Sequence, residues 1–309
     1  MGVKTISVSI PAEGARRTIA AALREEAQIS WSTAKALIAQ GLVRVNGQTA
    51  GSASARLKTG DKLEARFDPQ TRYREKRAGV PVDGYRVVLE DRHLIAVDKD
   101  AGVLTVPTPN DDEDTLAQRL LAMYGRRGVK QQRLWIVHRI DRFTSGLVLF
   151  ARTQPAAEHL VEQFSQRSPQ REYLALCEGS PQPASRRLVS RLQTDTGGKR
   201  VRLAAKGAPA REAVSHYEVM ERLPGATLVR VRLETGRRNQ IRVQMAEIGH
   251  PILGDRTYGR RSDLIDRPAL HAARLGFIHP VTQRDVALEA PLPPDFEKTL
   301  KDLRKSKAH

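Results

Sequence analysis

Along residues 1–67, the order of apolar and polar side chains predicts short strands and helices that could form a small mixed unit. Residues 5–10 and 62–67 alternate between polar and apolar positions, as half-buried strands do. Residues 17–26 and 32–40 have the apolar spacing of helices. The segment 42–47 then predicts a strand that runs into an Asn-Gly turn, which is a strong hairpin signal.

A second pattern begins at residue 86 and continues along the rest of the chain. Its apolar runs predict strands at 86–89, 94–99, 147–151, 171–176, 215–223 and 226–234, and helices at 115–124 and 154–167. Residues 181–211 are rich in Pro, Ser, Arg and Lys, and we expect an exposed, partly mobile hairpin or insertion there. Residues 298–309 predict a basic tail with a short apolar helix face at most.

Between these regions, residues 68–85 are rich in charge, proline and glycine, and few of their side chains could join a core. This composition is typical of a linker. We therefore expect two folded regions with a basic connection between them.

The charge of the chain favours a polyanionic partner. Lysine and arginine number 52 against 35 aspartates and glutamates, which gives a formal net charge of +17 and a pI near 10.4. Such an excess indicates nucleic acid first and an anionic membrane surface second. The sequence has no long basic amphipathic helix of the membrane-surface kind, so nucleic acid is favoured. Helix-turn-helix and zinc-finger patterns are missing, which argues against DNA.

We expect a cytoplasmic protein. No apolar run approaches the roughly 20 residues that a membrane-spanning helix needs, and the N-terminal stretch lacks the apolar block of a signal peptide. Cys177 is the only cysteine, which excludes an intrachain disulfide and suits a reducing compartment. Its apolar surroundings indicate a core position.

The most unusual stretch is 138–146, His-Arg-Ile-Asp-Arg-Phe-Thr-Ser-Gly, directly before the apolar strand 147–151. It places the carboxylate of Asp141 between Arg139 and Arg142, beside a segment that must enter a core. Neighbouring cations favour the ionised form of a carboxylate. Asp141 is therefore a candidate nucleophile or base. The alternative is a surface turn in which the carboxylate and the arginines are solvated.

The segment 138–151 resembles the active-site motif of the RluA-type pseudouridine synthases. That motif reads His-Arg-Leu-Asp, two variable positions, Thr-Ser-Gly and a hydrophobic strand; Ile140 replaces the leucine and keeps its apolar character. Residues 86–107 are similar to the family's opening motif, although Asp100 stands where proline is usual. The resemblance covers about residues 86–296.

A second strong match to this family covers 235–259. Its Gln-Ile-Arg core, which ends at Arg242, is intact. Arg238-Asn239 replaces the family's Thr-His, and Gln244 replaces a second histidine. We expect these departures to alter RNA contacts at the rim of the site without touching Arg242.

The resemblance implies an α+β fold with a mixed, largely antiparallel sheet, and conversion of uridine in RNA to pseudouridine. It implies that Asp141 is the catalytic residue, that Arg242 holds its carboxylate in a charge-assisted pair, either bidentate or through a single contact, and that Tyr173 stacks on the target base. The candidate RNA contacts around this site are Arg139, Arg142 and Ile241. Arg139 would fill the space left by a flipped nucleotide, and Ile241 would pack against the base. We expect neither a cofactor nor a metal site.

Residues 16–67 resemble the S4 RNA-binding domain, with two helices, a Gly-Leu-Val-Arg-Val-Asn-Gly segment and a Lys-Thr-Gly-Asp turn before a strand. The cations that could contact phosphates are Arg16, Arg17, Lys35, Arg44, Arg56 and Lys58. Each of them alone could equally be a solubilising charge. We predict a small S4-like α/β RNA-binding domain at 1–67, a basic linker at 68–85 and a catalytic domain at 86–309.

By analogy, an S4 module on so basic a chain favours large-subunit ribosomal RNA over tRNA as the substrate, and we expect a monomer. The rival hypothesis is a non-catalytic RNA-binding or ribosome assembly factor that retained the fold. The intact Asp141, Tyr173 and Arg242 argue against it. A two-carboxylate glycosidase is disfavoured because no second acid is paired by motif with Asp141.

Overall fold

The computed structural model describes residues 4–11, 17–39, 41–50, 55–69, 84–107, 114–129, 131–195, 200–205 and 207–306. The chain divides into two compact units, Met1–Gly79 and Val80–His309. Most of the predicted linker, residues 70–83, and the candidate cation Arg16 lie outside the described residues.

The smaller unit contains β1 (Lys4–Ser9), α1 (Ile19–Ala27), α2 (Trp31–Ala39), β2 (Val43–Val45), β3 (Gln48–Thr49) and β4 (Lys62–Phe67). Its strands form an antiparallel sheet in the order β1-β4-β2-β3. Thr18 begins α1 as an N-cap, since its side chain accepts a hydrogen bond from the N–H of Ala21 at 3.2 Å. Asn46 and Gly47 both have positive φ, as the predicted Asn-Gly hairpin turn requires.

The larger unit begins with β5 (Tyr85–Glu90), β6 (Leu94–Lys99), α3 (Leu116–Arg126), β7 (Trp135–Ile136), β8 (Ser145–Ala151), α4 (Gln154–Ser165) and β9 (Gln170–Glu178). It continues with β10 (Ser185–Thr194), β11 (Val201–Leu203), β12 (Arg211–Leu223), β13 (Ala226–Leu233), α5 (Gln240–Glu247), β14 (Leu270–Ile278), β15 (Asp285–Glu289) and α6 (Pro294–Lys305). None of the helices that the structure describes is long and apolar enough to cross a membrane.

The described strands of the larger unit form one sheet in the order β11-β10-β12-β13-β9-β14-β8-β6-β5, with β15 paired to β14 and β7 to β8. Among these strands only β8 and β14 pair in parallel. The mixed, largely antiparallel sheet of an α+β fold is therefore confirmed.

Strand β8 lies inside the sheet, between β14 and β6, and all seven of its residues are buried. Its first residues pair with β14, where Gly146 has a φ of +109°. A Cβ at this position would lie 2.2 Å from the carbonyl oxygen of Ala272, so the close approach of the two strands requires glycine. The loop that carries Asp141 thus ends in an immobile part of the core.

Two expectations about the surface of this unit are wrong. Residues 181–211 do form a hairpin, but β10 belongs to the main sheet and pairs with β12 along eight positions. Leu188 and Leu192 are buried there because they alternate with exposed arginines, a period of two that the high charge of the segment conceals. The predicted basic tail contains most of α6, whose Phe296 and Leu300 are buried in the main core.

Candidate active site

The loop between β7 and β8 faces a cavity of about 290 Å³, at the small end of the range for ligand sites. The cavity is also lined by residues of β9 and of the first turn of α5. It brings together the predicted site residues Arg139, Asp141, Tyr173, Ile241 and Arg242. Residues more than 100 positions apart in the sequence therefore share one site.

The backbone of the Asp141 loop is held by hydrogen bonds to its carbonyl groups. The hydroxyl of Thr105 donates to the carbonyl of Ile140 at 2.8 Å, and the N–H of Thr144 donates to the carbonyl of Asp141 at 3.1 Å. These bonds fix the direction in which the Asp141 side chain leaves the loop. Preorganisation of this kind suits a catalytic group.

Lys99 supports the same loop from the core. Its side chain is fully buried, and Nζ donates to the carbonyls of Asp100, Val103 and Arg142 at 2.9, 2.8 and 3.2 Å. Burial above all, and then the positive charge of Arg267, lower the pKa of Lys99 to about 7. No signal in the sequence distinguished this lysine from the many solvated ones.

Arg267 connects the loop to α6. Its guanidinium forms two hydrogen bonds with the carboxylate of Asp295, at 2.6 and 2.8 Å, and Nη1 donates to the carbonyl of Phe143 at 3.3 Å. Helix α6 therefore contributes, through Asp295, to the support of the Asp141 loop.

Arg242 lies beside Asp141, but its bidentate partner is a different carboxylate. Nε and Nη2 of Arg242 donate to the two oxygens of Asp255 at 2.6 and 2.8 Å, and Asp255 is fully buried. The distance from Nη1 of Arg242 to Oδ2 of Asp141 is 3.5 Å, longer than a charge-assisted hydrogen bond. Burial by itself would lower the pKa of Arg242. The hydrogen bonds to Asp255 and its negative charge outweigh burial, so the pKa of Arg242 is raised. The expected pair with Asp141 is present, and of its two expected geometries the bidentate one is wrong.

Asn239 also holds Arg242, which corrects the expectation that the departures from the family motif leave this arginine untouched. Nη1 of Arg242 donates to Oδ1 of Asn239 at 3.1 Å, and Nδ2 of Asn239 donates to the hydroxyl of Tyr258 at 3.0 Å. The Arg242 guanidinium lies 5.1 Å from the centroid of the Tyr258 ring. Asn239 has a φ of 53°, a conformation that asparagine tolerates better than most residues.

Tyr173 and Ile241 supply apolar surface to the cavity. Both are buried, Tyr173 on β9 and Ile241 in the first turn of α5. Burial raises the pKa of Tyr173 to about 12, so its hydroxyl stays protonated. Their positions permit the predicted contacts with the two sides of a planar base.

The two arginines that flank Asp141 in sequence have different environments. Arg139 is exposed and lines the cavity, as expected of a residue that contacts RNA. Arg142 is half-buried, and its Nε donates to the carbonyl of Gly102 at 3.2 Å. Arg142 is not among the described residues that line the cavity, so its contact with RNA at this site stays a prediction.

Arg171 is a third arginine at the cavity, and sequence reasoning gave it no role. Its Nη2 donates to the carbonyl of Glu234 at 3.1 Å, and its guanidinium lies 5.5 Å from the centroid of the Phe164 ring. That ring in turn stacks on His138 at 4.8 Å. Burial lowers the pKa of Arg171, and it lowers the pKa of His138 to about 3. Neutral His138 then accepts the N–H of Leu149 through Nε2.

Known protein families match parts of both units of the chain. Residues 93–247 match the family described as RNA pseudouridylate synthase, and residues 23–63 match the S4 domain. A protein of Zymomonas mobilis named ribosomal large subunit pseudouridine synthase D is 38% identical over 231 residues, which cover 70% of this chain and 72% of that protein. The chain belongs to the RNA pseudouridylate synthase family.

Further similarities agree with this assignment. A protein of the same name from Pasteurella multocida is 34% identical over 293 residues, which cover 89% of this chain and 87% of that protein. The solved structure of human RNA pseudouridylate synthase domain containing 4 superposes with a TM-score of 0.59 at 21% identity, over 71% of this chain and 92% of that one. That structure shares the fold. As a pseudouridine synthase, the protein is an enzyme that acts on RNA.

The S4 domain of this pseudouridine synthase carries the other predicted RNA contacts. Arg17 forms an ion pair with Glu25, and Nζ of Lys35 lies 5.9 Å from the centroid of the partly exposed Trp31 ring. The other described cations of the predicted set are exposed: Arg44, Arg56 and Lys58. Accessibility permits phosphate contacts, but these stay predictions.

Neither a metal centre nor a reactive cysteine emerges from the part of the enzyme that the structure describes. No three His, Cys, Asp or Glu side chains come together there as metal ligands would. Cys177 is buried, as predicted, and burial raises its pKa to about 12. A thiol of that kind is a poor nucleophile.

Proposed function

We propose that this pseudouridine synthase modifies large-subunit ribosomal RNA and that Asp141 is its catalytic residue. Two observations support the substrate: relatives that cover most of the chain are named for the ribosomal large subunit, and an S4 domain accompanies the catalytic unit on a chain of net charge +17. A carboxylate held at the wall of a cavity by a fixed loop supports the catalytic role.

The proposed reaction moves the uracil from one attachment to another without any change in composition. The bond from C1′ of the ribose to N1 breaks, the ring turns, C5 bonds to C1′, C5 loses a proton and N1 gains one. Asp141 either attacks C1′ or acts as a base on the sugar, and both routes need an ionised carboxylate next to the ribose. Arg242, 3.5 Å away, would hold that carboxylate by its charge while Asp255 keeps the guanidinium in place.

The target uridine would leave its helix or loop and enter the cavity. Tyr173 would stack on the uracil, and Ile241 would pack against its other side. Arg139, exposed at the cavity, would occupy the space that the flipped nucleotide leaves or contact its phosphate. Because all these groups come from one chain, we propose that a monomer is active.

Binding of the surrounding RNA is assigned to the smaller unit. We propose an S4-like RNA-binding domain at 1–67, a linker at 68–85 and the catalytic domain at 86–309. The phosphate contacts in the first would include Arg17, Lys35, Arg44 and Lys58. The enzyme would act where large-subunit RNA is made, which for a bacterial protein is the cytoplasm.

The test maps pseudouridine in total RNA from cells that lack this activity, by carbodiimide-dependent stops of reverse transcription. The RNA is incubated with wild-type enzyme, with Asp141→Asn, or with Asp285→Asn, which changes an exposed aspartate of β15 in the same way. We expect new stops in large-subunit RNA with the wild type and Asp285→Asn, and none with Asp141→Asn.

Each part of the proposal has its own contrary result. Stops confined to tRNA would reject the substrate, and stops produced by Asp141→Asn would reject the catalytic assignment. If tight RNA binding occurs without stops in naked RNA or in precursor particles, the chain is a binding factor.

A further inference from the structure

Arg171 brings to the cavity a positive charge that forms no ion pair with any carboxylate of the described residues. Within the described part of the chain, its only hydrogen bond is the one from Nη2 to the carbonyl of Glu234, and its buried Nε has no acceptor. The carboxylate of Glu234 is directed to Arg187 and His216 instead. A half-buried guanidinium with unused donors is costly. Nη1 of Arg171, which lies at Gly236 on the cavity wall and has no acceptor among the described residues, is the nitrogen that a ligand would reach.

The position of Arg171 beside Tyr173 directs its positive charge toward the base in the cavity and not toward the RNA backbone. Arg171 and Tyr173 are two residues apart on β9, so their side chains project to the same face, and both line the cavity. A Cβ at Gly236 would lie 2.6 Å from Nη1 of Arg171, which shows that the guanidinium fills the space above this glycine at the cavity wall. Phosphates would instead meet the exposed Arg139.

The reaction creates a negative charge that such a group can bind. When the C1′–N1 bond breaks, its electron pair goes to the uracil and spreads over O2 and O4. This holds whether an oxygen of Asp141 bonds to C1′ or a proton leaves C2′ and a C1′–C2′ double bond forms. The charge disappears when C5 bonds to C1′, and in the second route C2′ takes back its proton at this step. C5 then loses a proton and N1 gains one. A donor aimed at a charge that exists only between these steps lowers the barrier.

We infer that the Arg171 guanidinium binds a carbonyl oxygen of the target uracil and stabilises the detached uracil anion. The inference rests on the proposed role of Asp141, because that assignment puts the target nucleotide in this cavity. Phe164 holds the guanidinium from one side, and His138 supports Phe164. The uncharged state of His138 avoids a second cation in the stack.

The test compares wild-type enzyme with Arg171→Met, Arg171→Lys and Asp141→Asn on the mapped target RNA. The matched control is Arg284→Met, which removes an exposed arginine from the turn between β14 and β15. Single-turnover rates are measured with enzyme in excess, and affinities are measured for the target RNA and for the same RNA with an abasic ribose at the target. Thermal melting verifies that each variant is folded.

We expect Arg171→Met to slow the single-turnover step by about 100-fold, the usual effect of removing one donor to a developing anion. Its affinity for the abasic RNA should equal that of the wild type. Arg171→Lys keeps the charge and should recover about tenfold of the lost rate, since one cationic donor replaces the fork. Arg284→Met should behave as the wild type.

Unchanged rates in both Arg171 variants, with Asp141→Asn inactive, would overturn the inference alone. Equal losses of affinity for the target and the abasic RNA would assign Arg171 to a phosphate and would also overturn it. An active Asp141→Asn would instead reject the proposed catalytic residue. If Arg171→Met does not fold, the rate of Arg171→Lys decides.

Discussion

Arg242 and Arg171 line the same cavity from two different elements, α5 and β9, and their surroundings differ in kind. We call the α5 side closed because the charge of Arg242 is compensated there. The buried Asp255 accepts two hydrogen bonds from Arg242, and Asn239 accepts another. We call the β9 side open because the charge of Arg171 is not compensated by an acid there. Within the described chain, Arg171 contacts one backbone carbonyl and one aromatic ring. Each of the three guanidinium nitrogens of Arg242 donates a hydrogen bond, whereas within the described chain only one nitrogen of Arg171 does.

This difference suggests different roles for the two arginines: Arg242 is suited to hold Asp141, and Arg171 is suited to bind the substrate. The guanidinium of Arg242 is fixed by its hydrogen bonds and places a positive charge 3.5 Å from Asp141, but no short hydrogen bond ties the Asp141 carboxylate to it. A guanidinium with spare donors is suited to a charge that appears during the reaction. Stability should therefore depend on the first arginine, and turnover should depend strongly on the second.

The largest effect on stability is expected from a substitution of Arg242, on the closed side of the cavity. Arg242→Met should lower the free energy of unfolding by about 3–5 kcal/mol, because it leaves the buried carboxylate of Asp255 without its partner. Arg171→Met should change the same quantity by about 1 kcal/mol or less, because it removes an uncompensated charge. Urea denaturation of the full-length variants measures both values. Equal losses of stability in the two variants would show that the distinction between the two sides is false.

Lys99 extends the comparison of the two arginines to a buried cation that can lose its proton. Its folded-state pKa is lowered by burial from 10.5 to about 7. Between these two pH values the unfolded chain binds a proton at Lys99 that the folded chain does not, so this group makes unfolding less favourable as pH rises. The slope is at most about 1.4 kcal/mol per pH unit.

The measurement compares wild type with Lys99→Met, which removes the titrating group, between pH 7 and pH 9. The stability of the wild type relative to the variant should rise with pH, whatever the two values are at pH 7. A constant difference would mean that Lys99 stays charged at the Asp141 loop, as Arg171 does at the cavity.

The smallest expected effect concerns the position of Arg242. Asn239→Gly should slow the single-turnover rate by about fivefold, which corresponds to the loss of one hydrogen bond of about 1 kcal/mol. Glycine is chosen because the φ of 53° would strain alanine. Asn239→Asp, which keeps the acceptor for Arg242, should retain the Arg242 contact and lose the one donated to Tyr258. A full rate in the glycine variant would show that Asp255 positions Arg242 without help.

Much of the fold could be predicted from local patterns. The strand 62–67 and the Asn-Gly turn were predicted as found, because alternation and turn chemistry are properties of consecutive residues. Strand β10 was missed because its arginines gave the segment the composition of a loop, although Leu188 and Leu192 kept the period of a strand. Only a short apolar helix face was predicted for the region of α6, because charged residues surround its buried positions, although Phe296, Thr299, Leu300 and Leu303 have the spacing of one helix face.

The candidate site was predicted in part. Motifs placed Asp141, Tyr173 and Arg242 together, and the cavity contains all three. Asp255 lay inside a motif but received no role, and Asn239 was expected at the rim. Arg171 was one of 52 basic residues, and nothing in its neighbours along the chain marks it as uncompensated.

The sequence by itself determined that this is a basic, two-part RNA enzyme with a carboxylate between two arginines before a buried strand, since composition and motifs are written in consecutive residues. Only the tertiary structure decided which acid forms the bidentate pair with Arg242, and that Arg171 has no acid partner among the described residues. Pairing depends on distances of a few ångströms between segments far apart in the chain. Burial then sets the energy of each charge, and burial exists only once the chain has folded.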